Sequence, residues 1–242
     1  MRQKNKRRRR RAGNRSPSRT ILVVCEGKTE PIYLNALKRE LGLRTVSITI
    51  EKEAGNHSGT VITAKRLRDK RAKDAVKSDV LTEYDEVWCV FDVENPQHHL
   101  GDLKRAIVSA EKEKFKLALS NPSFEVWYLF HFTRGKYLKD GQSAKQTLKQ
   151  HLPNYSETAN LFTKLYPRTP TAMHNAVARL ANDDLDQPLN PSTHIHKLLC
   201  QAFFGNQIVV GKSFNQTARC FFKIEDVPRC AYCHEQALRE AD

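Results

Sequence analysis

Apolar residues fall in this chain into short runs that alternate with amphipathic stretches, and the two periods assign the elements. Ile21-Leu22-Val23-Val24-Cys25 is a continuous apolar run, as in a strand covered on both faces, and it stops at Glu26-Gly27. Pro31 then sits in the first turn of a segment whose Ile32, Leu34, Leu37 and Leu41 recur near helical spacing, and Gly42 closes it. Arg44–Lys52 alternates, with Val46, Ile48 and Ile50 on one face of a half-buried strand. The loop Gly55–Gly59 offers Ser58 as the cap of a long basic helix over about Thr60–Lys77.

A third strand, Glu86–Phe91, finishes on Asp92-Val93-Glu94-Asn95-Pro96, where Pro96 stops it. A helix over about Gly101–Glu113 and a fourth strand, Lys116–Leu119, complete a strand–helix alternation that predicts a mainly parallel sheet. After Asn121-Pro122, Ser123 is placed to cap a buried helix running to Phe132. Helical spacing returns around Ala144–Gln150, Ser156–Leu165, Thr171–Leu180 and Pro191–Phe203, with Pro, Asn and Asp breakers between. From Gly205 to Asp242 only a short strand near Gln207–Val210 and a terminal helix near Glu235 can be placed. The expected fold is α/β: a mainly parallel sheet flanked by helices in residues 20–135, a helical extension of the same domain in 136–203, and a tail of unassigned structure in 204–242.

Hydrophobic residues make up 39% of the 242 positions and charged residues 28%, an ordinary globular balance, so any extreme is local. Charge is such an extreme. Of the formal +14, ten positive charges lie in the first nineteen residues, Arg7, Arg8, Arg9, Arg10 and Arg11 among them, which leaves +4 for the rest. A run of this kind has no apolar face to bury, so residues 1–19 read as a disordered basic arm. It would gain affinity for phosphate backbones by releasing counterions, without reading sequence; a leader that only aids solubility is the competing reading. No apolar stretch follows the arm as a signal peptide requires, and no run reaches membrane-spanning length. Cys25 and Cys89 lie inside strands and read as reduced core thiols, so a cytoplasmic protein without membrane contact is expected.

The chemistry sits at the strand ends. In an open parallel sheet, ligands bind at the carboxyl ends of the strands, where Glu26 leaves the first and Asp92 and Glu94 leave the third. Taken singly, such acids read as solvated turn residues or helix caps. If the two strands are neighbours, three carboxylates share one space, which like-charge repulsion makes costly without a cation. Mg²⁺ or Mn²⁺, as one or two ions, suits such an all-oxygen set. Glu30, one helical turn after Glu26, could reach the same cavity. Lys28 could meet a phosphate or transition-state charge, although a first-turn Lys is commonly just solvated. In the tail, Cys230 and Cys233 could bite one Zn²⁺, but Cys220 stands alone where a second knuckle is needed, so structural zinc is the weaker expectation.

Four motifs, taken in order, resemble a known family. Val24-Cys25-Glu26-Gly27-Lys28-Thr29-Glu30 looks like the first motif of Toprim domains in the overcoming-lysogenization-defect type nucleases, and Phe91-Asp92-Val93-Glu94 resembles their DxD motif. Ser120-Asn121-Pro122-Ser123-Phe124-Glu125-Val126-Trp127, followed by His131-Phe132, is similar to the signature of RloB-like proteins, the Toprim branch of abortive-infection and restriction-linked loci. Asn190-Pro191-Ser192-Thr193 with His196 resembles their closing motif, and the likeness runs from about Arg19 to Cys200. The resemblance implies a Toprim-like fold and a metal-dependent nuclease acting on DNA or RNA, tRNA included, as an antiphage effector partnered by an AAA- or ABC-type ATPase. It implies that Glu26 binds metal or shuttles a proton, that Asp92 is a primary metal ligand, and that Glu125 is a further ligand or an outer group; as a helix-starting acid, Glu125 equally suits the macrodipole. Glu94 stands where the family pattern usually has a second Asp, which leaves a non-catalytic nucleic-acid-binding or regulatory subunit as the alternative. His131, on a largely apolar helix, reads first as a core histidine.

Overall fold

The structure, a computed structural model, describes residues 19–42, 46–52, 56–94, 96–179 and 189–204. The residues Arg7–Arg11, Cys220, Cys230 and Cys233 and the expected elements beyond Gly205 lie outside the described residues. In chain order the elements are β1 (Arg19–Cys25), α1 (Thr29–Leu41), β2 (Val46–Lys52), α2 (His57–Ala75), β3 (Glu86–Asp92), α3 (Pro96–Lys112), β4 (Lys116–Asn121), α4 (Glu125–Phe130), α5 (Gly141–His151), α6 (Phe162–Leu165), α7 (Thr169–Arg179), β5 (Ser192–Thr193) and α8 (Ile195–Leu198). A 3₁₀ turn (Tyr166–Arg168) links α6 to α7, and a π turn (Leu199–Phe203) continues α8.

The five strands lie in the order β2-β1-β3-β4-β5. The first four are parallel, and β5 pairs antiparallel with the edge of β4. The chain therefore winds from β1 to β2 on one side and returns to β3 on the other. That reversal opens the crevice between the carboxyl ends of β1 and β3, the topological switch point at which such sheets take ligands.

Strand alternation explains why both faces are covered. Ile21, Val23 and Cys25 of β1 share one core with Tyr33, Leu34 and Leu37 of α1, with Trp88 and Val90 of β3, and with the helical segment from Phe124 to Phe204. Leu22 and Val24 share the other with Val61 and Ala64 of α2, with Val87, Cys89 and Phe91 of β3, and with Leu103, Ala106, Ile107 and Ala110 of α3. Cys25 and Cys89 are buried free thiols, and burial raises both well above the ordinary thiol range. Among the described residues no helix is long and apolar enough to cross a membrane.

Several local expectations are corrected. Asn56, not Ser58, caps α2: its side chain accepts from the Gly59 amide at 2.9 Å, while the Ser58 hydroxyl donates to Asp102 on α3 at 2.5 Å. Pro96 opens α3 instead of merely ending a strand, because its fixed φ suits the first helical turn. Ser123 does not cap α4 with its side chain; its hydroxyl donates to Glu125 at 2.5 Å. Residues 156–161 are irregular, with helix only in α6. The helix expected over Pro191–Phe203 starts at Ile195, because Ser192 and Thr193 are drawn onto the open edge of β4, where the Ser120 and Thr193 hydroxyls meet at 2.9 Å. Arg19, assigned to the arm, instead begins β1, with its guanidinium on Glu86 and on the Gln201 carbonyl.

Gly42 ends α1 in the left-handed region (φ 52°), with nothing within 4 Å of where a Cβ would stand. Gly42→Ala should therefore cost only the conformational penalty, about 1 kcal/mol. Phe91→Ala, which empties a fully buried site, should cost about 3–5 kcal/mol. Urea unfolding of the two variants checks this order, and a larger loss at Gly42 would contradict the packing.

Candidate carboxylate site

Backbone pairing carries the acids to one place. The Glu26 amide donates to the Val90 carbonyl at 3.0 Å, which extends the β1–β3 ladder by one residue and fixes Glu26 beside the end of β3. From β3, the Val93 amide donates to Ser120 and the Glu94 amide to the Pro122 carbonyl, each at 2.8 Å, so that segment is tied to β4 and its exit loop. Glu94 takes a left-handed conformation (φ 53°) and its side chain is exposed. Glu125 starts α4 immediately after that exit loop.

All five acids expected from the sequence, Glu26, Glu30, Asp92, Glu94 and Glu125, line one cavity of about 300 Å³, together with Lys28. Lys52, Lys145, Glu157, Thr29, Gly27 and Phe124 complete the lining. Lys52 ends β2 and was legible by the same strand-end rule that found Glu26. Glu157, 128 positions after Thr29, and Lys145, 12 before Glu157, join the site only by tertiary packing; they bond to one another at 2.5 Å, and Thr29 donates to the Glu157 carbonyl at 3.3 Å.

The individual carboxyls differ in their partners. Glu30 is 1% exposed and turns back so that its Oε1 accepts from the Gly27 amide at 3.2 Å. That approach needs a glycine, since a Cβ on residue 27 would stand 2.4 Å from Glu30 Oε2. Glu125 is buried and accepts from both the Ser123 hydroxyl and the Tyr155 hydroxyl. Glu26 Oε2 is buried without a hydrogen-bond partner. The ring of His57 lies beside it, with Nε2 3.9 Å away. That ring, overlooked in the sequence because it sits in an apparent loop, also donates from Nε2 to the Asp92 carbonyl at 2.6 Å and places Nδ1 3.4 Å from Asp102. His57 thus ties the start of α2 to the end of β3.

Burial and mutual repulsion push the acids up. Desolvation, then Glu94, Glu30 and Asp102, raise Glu26 to about 8. Desolvation is also the largest cause at Glu30, which stands at about 7 with Glu125 adding to it and the Gly27 amide and Lys52 opposing it. Asp92 is raised well above the carboxylate range by burial and by Glu30, Glu125, Glu26 and Glu94. Burial works against the charge of Lys145, yet Glu157, Glu125 and Asp92 hold its pKa above the ordinary value.

A family model described as RloB-like protein matches residues 21–201. The chain belongs to the RloB-like family. Neither a curated protein nor a solved structure matches it. Both Asn-Pro signatures of this RloB-like chain meet at the β4–β5 pairing, where Asn121 faces Ser192. His131, by contrast, is fully buried away from the cavity, with Nδ1 2.9 Å from the Trp127 carbonyl, and burial lowers it to about 4. His196 is likewise buried, its Nδ1 3.1 Å from the Thr193 carbonyl.

The donor set fits a hard divalent cation: it is all carboxylate, one buried oxygen lacks a partner, and the acids hold raised pKa values that a positive charge would relieve. Among the described residues no three His, Cys, Asp or Glu side chains stand close enough to clasp an ion as placed, because Glu30 and Glu125 are turned onto other donors. The charge state has a consequence for stability. Glu26, raised from 4.5 to about 8, favours the folded state fully below pH 4.5 and loses that contribution as pH rises toward 8. In a chelator, the Tm of the wild type should fall across this window and that of Glu26→Gln should fall less, read by thermal melts at fixed ionic strength. Identical slopes for the two proteins would show that Glu26 is not held protonated.

Proposed function

We propose that this RloB-like chain is a metal-dependent nuclease that hydrolyses phosphodiester bonds, with a Toprim-like carboxylate site formed by Glu26, Asp92 and Glu94 and supported by Glu30 and Glu125. The observation that carries the reading is the single cavity at the switch point, lined by five strand-end and helix-start acids and by Lys28, Lys52 and Lys145. Bound among the acids, Mg²⁺ or Mn²⁺ would supply Lewis-acid polarisation of the phosphate and a more acidic water. The chain's own groups divide the remaining work. Asp92 and Glu94 offer carboxylate oxygens, and Glu26, with a pKa of about 8, can hold or release a proton near neutral pH. Lys28 and Lys52, exposed at the rim, can pair with the phosphates that flank the scissile bond. Restraint of such an activity by an AAA- or ABC-type ATPase, and use against phage in the cytoplasm, belong to the same proposal.

One observation favours the alternative of a non-catalytic nucleic-acid-binding or regulatory subunit. Glu94 holds a left-handed conformation that Asp or Asn adopts more readily, and its longer side chain moves the carboxylate outward by one methylene.

The deciding experiment is cleavage of plasmid DNA and of total tRNA with Mg²⁺ or Mn²⁺. Asp92→Asn and Glu26→Gln should each lower the rate by on the order of 10²-fold or more. Mn²⁺ titrated by calorimetry should bind the wild type and not Asp92→Asn. Glu94→Asp should keep or raise the rate. Absence of cleavage from both the wild type and Glu94→Asp, with and without a neighbouring ATPase, would select the binding-subunit reading.

A further inference from the structure

We propose that the outward ridge of α2 is the docking surface for the phosphate backbone of double-stranded DNA, which leads the duplex to the carboxylate cavity. The proposal deepens the nuclease reading and rests on it only for what happens at the cavity, since the ridge is argued from its own charges.

α2 turns His57, Thr60, Val61 and Ala64 inward. At 100° per residue, Ile62, Arg66, Lys70, Lys73 and Lys77 fall within an arc of about 80° on the opposite side. All five are exposed, with Lys77 just beyond the Val76 cap. The helix sorts its basic residues. On the flank, Lys65 pairs with Glu113 at 2.5 Å, Arg68 pairs with Asp69 and Glu113 at 2.7 and 2.8 Å, and Arg71 donates to the Thr82 carbonyl at 2.7 Å with its guanidinium 5.3 Å from the Tyr84 ring centroid. The four ridge cations form no ion pair with any described residue. Of the acids nearest them, Asp69 is engaged by Arg68, and Asp74 is exposed at the edge of the ridge.

Arg66, Lys70, Lys73 and Lys77 are successive i,i+3 and i,i+4 neighbours, so each repels the next in the free protein. A polyanion removes that repulsion. At about 1.5 Å rise per residue the four cations span about 16 Å, over which one strand of B-DNA carries about five phosphates. The start of α2 is fixed at the cavity by the His57–Asp92 hydrogen bond of 2.6 Å, so a backbone following the ridge arrives at the acids.

The ridge chemistry selects the partner. It has no aromatic side chain on which unpaired bases could stack, which argues against a single strand. Its cations can donate to a 2′-hydroxyl but cannot accept from one, and it has no hydroxyl or amide side chain that could do both, which favours DNA over duplex RNA. Ile62 and the exposed Val76 at the far end of the helix give too little apolar surface to enter a lipid layer.

The test uses the full chain carrying Asp92→Asn, in EDTA, so that binding is read without cleavage. A fluorescent 30-base-pair DNA duplex is titrated across salt concentrations, alongside the single strand, an RNA duplex of the same length and anionic vesicles. A ridge variant (Arg66→Gln, Lys70→Gln, Lys73→Gln, Lys77→Gln) is compared with a control that loses the same charge elsewhere (Lys136→Gln, Lys139→Gln, Lys149→Gln, Lys164→Gln), all exposed positions. The basic N-terminal residues are kept in both. Expected are tightest binding to duplex DNA, at least about tenfold weaker binding by the ridge variant near 0.1 M salt, and a log–log salt slope shallower by about 3, with the control within about twofold of the parent. Equal losses in the two variants, an unchanged slope, or tighter binding of single strand, RNA duplex or vesicles would overturn the proposal. Because the readout is binding in chelator, loss at the ridge with no cleavage by the unsubstituted chain would sink the nuclease reading alone.

Discussion

Taking a carboxylate out of water costs several kcal/mol even after the surroundings relax, and like charges nearby add to the cost. This chain places five carboxyl groups around one cavity of about 300 Å³, and the rest of the site is arranged to meet that penalty. Three answers are visible. Hydrogen-bond donors serve some acids: the Gly27 amide at Glu30, and the Ser123 and Tyr155 hydroxyls at Glu125. Protons serve others, since Glu26 and Glu30 titrate near neutrality. Lysines serve a third group: Lys52 opposes the rise at Glu30, and Lys145 faces Glu125 and Asp92. None of these gives Glu26 Oε2 a partner, and an added cation there would supply one.

The acids cannot escape the crowding, because the backbone that carries them is committed to the sheet. Glu26 is held by its amide to β3, and Val93 and Glu94 by theirs to β4 and its exit loop. Both faces of β1 and β3 are buried in packed cores, so a shift of either strand would open cavities on two sides. His57 adds a third restraint by joining α2 to the Asp92 carbonyl. Burial, with repulsion added to it, is therefore expressed as raised pKa values in the side chains instead of as movement of the chain. A site held this way keeps its geometry whether or not its charge is compensated, which is what preorganisation requires.

Most of this was readable along the chain. The apolar run from Ile21 to Cys25 and the run from Val87 to Phe91 are strands because they are apolar on both alternating faces, and the acids that end them are the acids of the cavity. What escaped the sequence were pairings between distant segments. Ser192 and Thr193 become a strand only because β4 has an open edge, and no local period announces it. Lys145 and Glu157 reach the cavity from the helical segment, through packing against α1 and α4 that spacing cannot reveal. Asn56 and Ser58 both suit a helix cap, and Asp102, forty-four residues from Ser58, decides between them by taking the Ser58 hydroxyl. Lys52 is the exception, since it ends a strand as plainly as Glu26 does.

The vertical order of charge within the cavity bears on its chemistry. Glu30 and Glu125 are almost fully buried, Asp92 and Glu26 are half-buried, and Lys28 and Lys52 are exposed. A pocket built only to hold a cation has no use for lysines, which would compete with it for the same carboxylates. A pocket built only for a phosphate would not gather five acids. Buried acids below, with Glu94, Lys28 and Lys52 at the exposed level, match a ligand that is itself layered, a cation beneath a phosphate: the cation relieves the acids, while the phosphate relieves the cation and the rim lysines. This reciprocity supports the reading of a metal-assisted phosphodiester site.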